Sequence, residues 1–151
     1  MSFGSDLDER IQLLRGIWLF STCDDDELAR IAAVAEPREE EQGAVLTTQG
    51  DEGSEFFVIV TGDASAAVDG AEVGTIGPGG FFGEMALIDG GERVATVTAT
   101  SRMQLLVLDR HDFNEMLELA MPQIAPKLLA VVGARMRAID EAAGVDATLG
   151  L

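Results

Sequence analysis

Between residues 37 and 108 the chain offers only short β-favouring runs, and glycine cuts them at close intervals. Phe56-Phe57-Val58-Ile59-Val60 is one such run, and it ends at Gly62. Val68-Asp69-Gly70-Ala71 sets Asp-Gly, the strongest short hairpin signal, between two candidate strands. Val94 to Thr100 and Met103 to Leu108 read as two more, joined near Ser101-Arg102, and glycine is dense from Gly70 to Gly91. Many short strands at this spacing point to a barrel or roll.

Helical patterning flanks this zone. Over residues 6–35, Asp24 and Glu27 have capping-box spacing, and Leu28, Ile31 and Ala32 follow at helical intervals. The run Asp24-Asp25-Asp26-Glu27 then places negative charge where a helix dipole favours it. Over residues 109–143, Asp109 reads as an N-cap before Phe113, Met116 and Leu117. Pro122 and Pro126 interrupt the pattern, so a final helix is expected to begin near one of them and to stop at Gly144. The tail, 144–151, has no pattern. The expected fold is α+β: one domain over residues 1–151, an antiparallel, jelly-roll-like β-roll flanked by N-terminal and C-terminal helices.

The 151 residues suffice for one domain with a full core. The formal net charge of −17 disfavours nucleic acid and anionic lipid, and it favours solubility or a partner with a basic face. No apolar run approaches a membrane span, and the N-terminus lacks a secretory pattern. The single cysteine, Cys23, cannot form an internal disulfide, which fits a reducing, cytoplasmic setting. One histidine and one cysteine do not make an ordinary zinc site, and His111 has no recognisable nucleophile to serve. His111 is read as a surface residue and Cys23 as core-facing. Trp18 and Phe20 are read as packing a helix against the roll, and Glu39-Glu40-Glu41 as a solvated strand end.

The chemistry concentrates in Phe81-Phe82-Gly83-Glu84-Met85-Ala86-Leu87-Ile88-Asp89-Gly90-Gly91-Glu92-Arg93-Val94-Ala95-Thr96-Val97. Gly79, Gly80 and Gly83 let backbone approach a ligand closely. Residues 84–88 suit one short helix, whose first N–H groups have no partner inside the helix. Arg93 returns to this region at the start of a strand, and an arginine fork beside such N–H groups suits a phosphate. Glu84 repels phosphate, so its expected role is to accept a hydrogen bond from a hydroxyl of the same ligand. Phosphate plus a nearby hydroxyl suggests a ribose phosphate.

This segment resembles the phosphate-binding cassette of the cyclic nucleotide-binding domain family, which includes catabolite-activator-type factors, protein kinase A regulatory subunits and cyclic-nucleotide-gated channels. The resemblance runs from about Ile11 to Ala143. Leu19-Phe20 with Asp24 to Leu28 resembles the family's leading helix, and Gly43, Gly50, Gly62 and Gly83 fall where its turns carry glycine. It implies that Gly83 and Ala86 offer backbone N–H groups, with Met85 between them in the site. It implies that Glu84 holds the ribose 2′-hydroxyl, that Arg93 pairs with the cyclic phosphate and that Ala95 packs closely beside it. Val94, where cGMP-selective members often carry threonine, implies a preference for cAMP, with cGMP as the other possible ligand. Glu92 replaces a frequent proline and is expected to compete for the guanidinium of Arg93. Arg135 shares a helix face with Leu128, Val132 and Ile139. It either snorkels to water or covers the purine as the helix closes, as in some channel-type members.

The resulting expectation is a non-enzymatic sensor with no cofactor and no metal. It binds cAMP and acts on a separate effector protein through helix rearrangement. A passive cAMP buffer and an orphan domain that no longer binds nucleotide are the alternatives. The sequence leaves effector, affinity and oligomeric state open.

Overall fold

The computed structural model describes residues 2–142. Helix α1 (Leu7–Arg15) opens at Asp6, whose side chain accepts from the Asp8 N–H. A short 3₁₀ turn, Trp18–Phe20, leads to helix α2 (Asp25–Val34). The capping box forms as its spacing predicts: the Glu27 N–H donates to Asp24 Oδ1, and the Asp24 N–H donates to Glu27 Oε1, both at 2.8 Å. The roll follows as strands β1 (Glu36–Glu40), β2 (Val45–Thr47), β3 (Glu55–Thr61), β4 (Ala64–Val68), β5 (Ala71–Ile76) and β6 (Phe81–Phe82). Helix α3 (Glu84–Asp89) interrupts it before β7 (Thr96–Ala99) and β8 (Met103–Asp109). Asp69 (φ 52°) and Gly70 (φ 81°) form the tight turn between β4 and β5, as Asp-Gly predicts.

All strand pairs are antiparallel, in two four-stranded sheets ordered β1-β8-β3-β6 and β2-β7-β4-β5. The run Phe56–Ile59 is apolar throughout because β3 is buried on both faces. Phe56 and Val58 pack with Leu14, Phe20, Leu28, Ile31 and Phe113 beneath the helices. Phe57 and Ile59 pack with Phe82, Val97, Leu105 and Val107 between the sheets.

The C-terminal element, α4 (Arg110–Ala142), is two helices joined at Ala120, whose φ −126° and ψ 32° are non-helical. Its start is capped as expected, the Asp112 N–H donating to Asp109 Oδ1 at 2.8 Å. The break falls two residues before Pro122. A proline there removes the bond to the carbonyl four residues back and crowds it, while its fixed φ suits a new first turn. Gly144 lies outside the described residues. By length and composition alone Arg110–Glu141 could cross a membrane, which the apolar runs read in the sequence did not anticipate. Here Phe113, Met116, Ala120, Ile124 and Leu128 put one face of it into the core.

Two expectations need correction. Trp18 does not pack against the roll: it is 52% exposed, with Lys127 Nζ 5.5 Å from the ring centroid. Lys127 also donates to the Trp18 carbonyl at 2.9 Å and to Ser21 Oγ at 2.8 Å, so the turn around Trp18 serves as a clasp for α4. The strand placed at Val94 begins at Thr96 instead. Residues 92–95 are drawn aside onto the loop before β3. The Arg93 N–H donates to the Asp51 carbonyl, the Gly50 N–H to the Arg93 carbonyl, and Thr47 Oγ1 to the Ala95 carbonyl.

Candidate functional site

A pocket of about 180 Å³ opens between the β2-β7-β4-β5 sheet, α3 and the far half of α4. Gly83, Glu84, Met85, Ala86, Arg93, Val94, Ala95 and Arg135 line it as expected, whereas Gly79 and Gly80, also expected near the ligand, do not: they pair with the backbone of Ile59 on β3.

The cassette is shaped by two close backbone approaches. Gly83 caps α3 at φ 94°, and a Cβ there would lie 2.6 Å from the Glu55 carbonyl oxygen and 2.8 Å from Arg93 Nη1. Gly53 lets the neighbouring loop touch the cassette: a Cβ there would lie 2.5 Å from the Cβ of Ala86. Glycine alone meets both demands.

Arg93 is only 8% exposed. Its Nη1 donates to the Gly83 carbonyl at 2.9 Å and its Nη2 to the Glu55 carbonyl at 2.8 Å. It forms no ion pair among the described residues. Burial pushes the guanidinium below its ordinary range; Glu55 and Glu84 oppose that, and Arg110 adds to it. A buried cation held by carbonyl oxygens alone gains from an anion. The expected competition from Glu92 does not occur. Glu92 is exposed, its backbone pairs with that of Glu52 in an isolated β-bridge, and it forms no ion pair with Arg93 among the described residues. Glu55 is engaged on its other side by Arg38, at 2.8 Å.

Glu84 is 1% exposed, and its partner is Arg135. Arg135 Nη1 donates to Glu84 Oε1 and Nη2 to the Phe81 carbonyl, while the guanidinium lies 5.1 Å from the centroid of the Phe81 ring. The snorkelling alternative for Arg135 is thereby displaced: its guanidinium turns inward and ties α4 to the cassette. Arg135 occupies one oxygen of Glu84, and a carboxylate has two to offer.

Sequence reasoning missed the opposite wall, Val73, Gly74, Thr75 and Ile76 of β5. Val73 reaches the pocket through a bulge: Ala66 pairs with Gly74 and Ala67 with Glu72, leaving Val73 without a partner. Cys23 is buried and its thiol is pushed up to about 11, by burial foremost and by Glu27, so it is no nucleophile at neutral pH. His111 is on the surface, as expected. With Asp112 and Glu115 it forms one group whose ligand atoms lie within 4.8 Å, a juxtaposition that residue counts did not anticipate. None of the three lines this pocket.

Residues 37–119 match the family model described as the cyclic nucleotide-binding domain. The chain belongs to this family. The domain is 35% identical over 100 residues to the cAMP-dependent protein kinase regulatory subunit of Yarrowia lipolytica, covering 66% of this chain and 27% of the relative. It is 39% identical over 114 residues to a cyclic nucleotide-gated potassium channel of Rhizobium etli, covering 76% of this chain and 32% of the channel. Among solved structures it is similar to cAMP-bound PfPKA-R, with TM-score 0.83 and 27% identity over 94% of this chain and 49% of that one. The antiparallel roll with flanking helices is the fold of these relatives. The domain spans about a third or less of the curated relatives it matches.

Proposed function

We propose that this domain is a cAMP sensor that binds the nucleotide in the β-roll pocket and signals through α4 to a separate effector. The observation that carries the reading is Arg93, a buried cation with no carboxylate ion pair among the described residues, set beside the buried carboxylate Glu84. In this reading the cyclic phosphate takes the Arg93 fork and the first N–H groups of α3. The ribose 2′-hydroxyl donates to the Glu84 oxygen that Arg135 leaves, and the purine lies toward Arg135. Titration calorimetry with cAMP tests it; no measurable heat of binding at millimolar nucleotide sinks it and favours the orphan alternative.

The sensor is favoured over a passive buffer by the Glu84–Arg135 contact, because the carboxylate offered to the ribose already holds α4. A ligand at Glu84 therefore interacts differently with different positions of α4, which is the requirement for a shift in population. Typical coupling of about 1–3 kcal/mol would change an effector's affinity roughly five- to 150-fold. Arg135→Ala is expected to speed cAMP dissociation about two- to thirtyfold, from loss of a stacking cation worth roughly 0.5–2 kcal/mol. Arg137→Ala, on another face of α4, should leave the rate unchanged. Stopped-flow release of a fluorescent cAMP analogue measures both, and equal rates in all three proteins would remove α4 from the site.

Selectivity for cAMP rests on Val94, which lines the pocket half-buried. Threonine has its shape and adds a hydroxyl for the guanine amino group. Val94→Thr is expected to raise cGMP affinity more than cAMP affinity in a competition assay; tighter cGMP binding by the native protein would contradict the assignment. The role is binding without turnover, and cAMP should be recovered intact by chromatography after long incubation with the protein.

A further inference from the structure

A second concavity lies between α2 and the near half of α4. Its floor is apolar, from Ile31 and Val34 on α2 and Met116 and Leu119 on α4, and Val34 is left 41% exposed. Its rim is acidic. Asp112, Glu115 and Glu118 stand three residues apart on α4, a spacing that aligns them along one edge of the helix. Like charges at this spacing repel, and little relieves them here. His111 lies 3.2 Å from Glu115, while Asp112 and Glu118 form no ion pair among the described residues. Burial, with Asp109 next, holds the Asp112 carboxyl above its ordinary range. Arg30 is the one cation lining the groove, and it forms no ion pair among the described residues either.

An apolar floor between two helices, edged by carboxylates that outnumber the cations beside them, has a definite complement. We propose that this groove is the docking site for an amphipathic helix of a partner protein that carries lysine or arginine along the border of its apolar face. The acidic rim excludes nucleic acid and anionic lipid, and the net charge of −17 draws a basic partner from a distance. The apolar floor separates this ligand from a free cation, because it rewards side chains that bury carbon. The site is distinct from the nucleotide pocket and stands without it, although α4 lines both.

The test uses an 18-residue leucine/lysine peptide with leucines at helical spacing on one face. Its controls are the same composition scrambled to abolish the face, and a leucine/glutamate counterpart. The amphipathic basic peptide is expected to shift the amide resonances of Ile31, Val34, Met116 and Leu119 and to bind at least tenfold tighter than either control. Glu115→Lys with Glu118→Lys should weaken it at least tenfold, as should Val34→Lys on the facing helix if the double variant folds poorly. Shifts spread over the whole surface would overturn the proposal. So would an affinity that stays within twofold in the folded variants, or sedimentation showing the groove filled by a second copy of the chain.

Discussion

Replacing Arg93 with alanine is expected to lower cAMP affinity roughly ten- to 150-fold, the worth of one charge-assisted contact of about 1.5–3 kcal/mol. The loss should exceed that of an exposed phosphate contact, because the guanidinium is buried and its two donors also hold the Gly83 and Glu55 carbonyls. Alanine leaves those oxygens without their donor and loosens the cassette against β3. Arg93→Lys restores the charge without the fork, so its affinity should fall between wild type and alanine. Calorimetry reads the affinity, and a thermal melt without nucleotide reads the loosening. Wild-type affinity in Arg93→Ala would end the phosphate assignment.

Phe56→Ala should produce the largest loss of stability, about 3–5 kcal/mol, against a total of about 5–15 kcal/mol for a domain. The Phe56 ring lies 5.6 Å from Phe81 and 4.9 Å from Phe113, so one side chain joins β3 to the cassette strand and to α4. Alanine leaves a cavity at the junction of three elements, and interiors this dense relax only partly around a void. Phe56→Leu, which keeps most of the volume, should cost much less. Urea unfolding of both variants decides it; a loss under about 1 kcal/mol for alanine would show that the site collapses freely.

Local devices were readable in the sequence because their physics is local. Asp24 with Glu27, Asp69 with Gly70, and Asp109 ahead of Phe113 each satisfy backbone groups within a few residues, and each forms as predicted. The pocket residues were readable through the resemblance, which fixes spacing along one short segment. Contacts between distant segments were not. Glu84 and Arg135 are 51 residues apart, and nothing in the helix pattern says which way an arginine on an apolar stripe turns. The wall at Val73 depends on a bulge, one unpaired residue in a small-residue strand, and alternation alone does not place it. Glu92 misled for a related reason. Adjacency in sequence suggested competition, whereas Glu92 is exposed and its backbone pairs with that of Glu52.

The break at Ala120 gives α4 the mechanics of a lever. At 1.5 Å per residue, Arg135 rides about 22 Å beyond that fulcrum and the end of the described helix about 33 Å. A tilt of about 10° at Ala120 would carry Arg135 by roughly 4 Å, enough to part it from Glu84, and the helix end by roughly 6 Å. The near arm, which holds Phe113 and Met116 in the core, need not move. Lys127, clasped to the Trp18 turn, sits on the moving arm only a third of the way out, so the same tilt displaces it by roughly 2 Å. The displacement is small near the fulcrum, where Ile124 and Leu128 keep the far arm in the core, and is magnified where the ligand sits; the clasp near the fulcrum sets how stiffly the arm resists it.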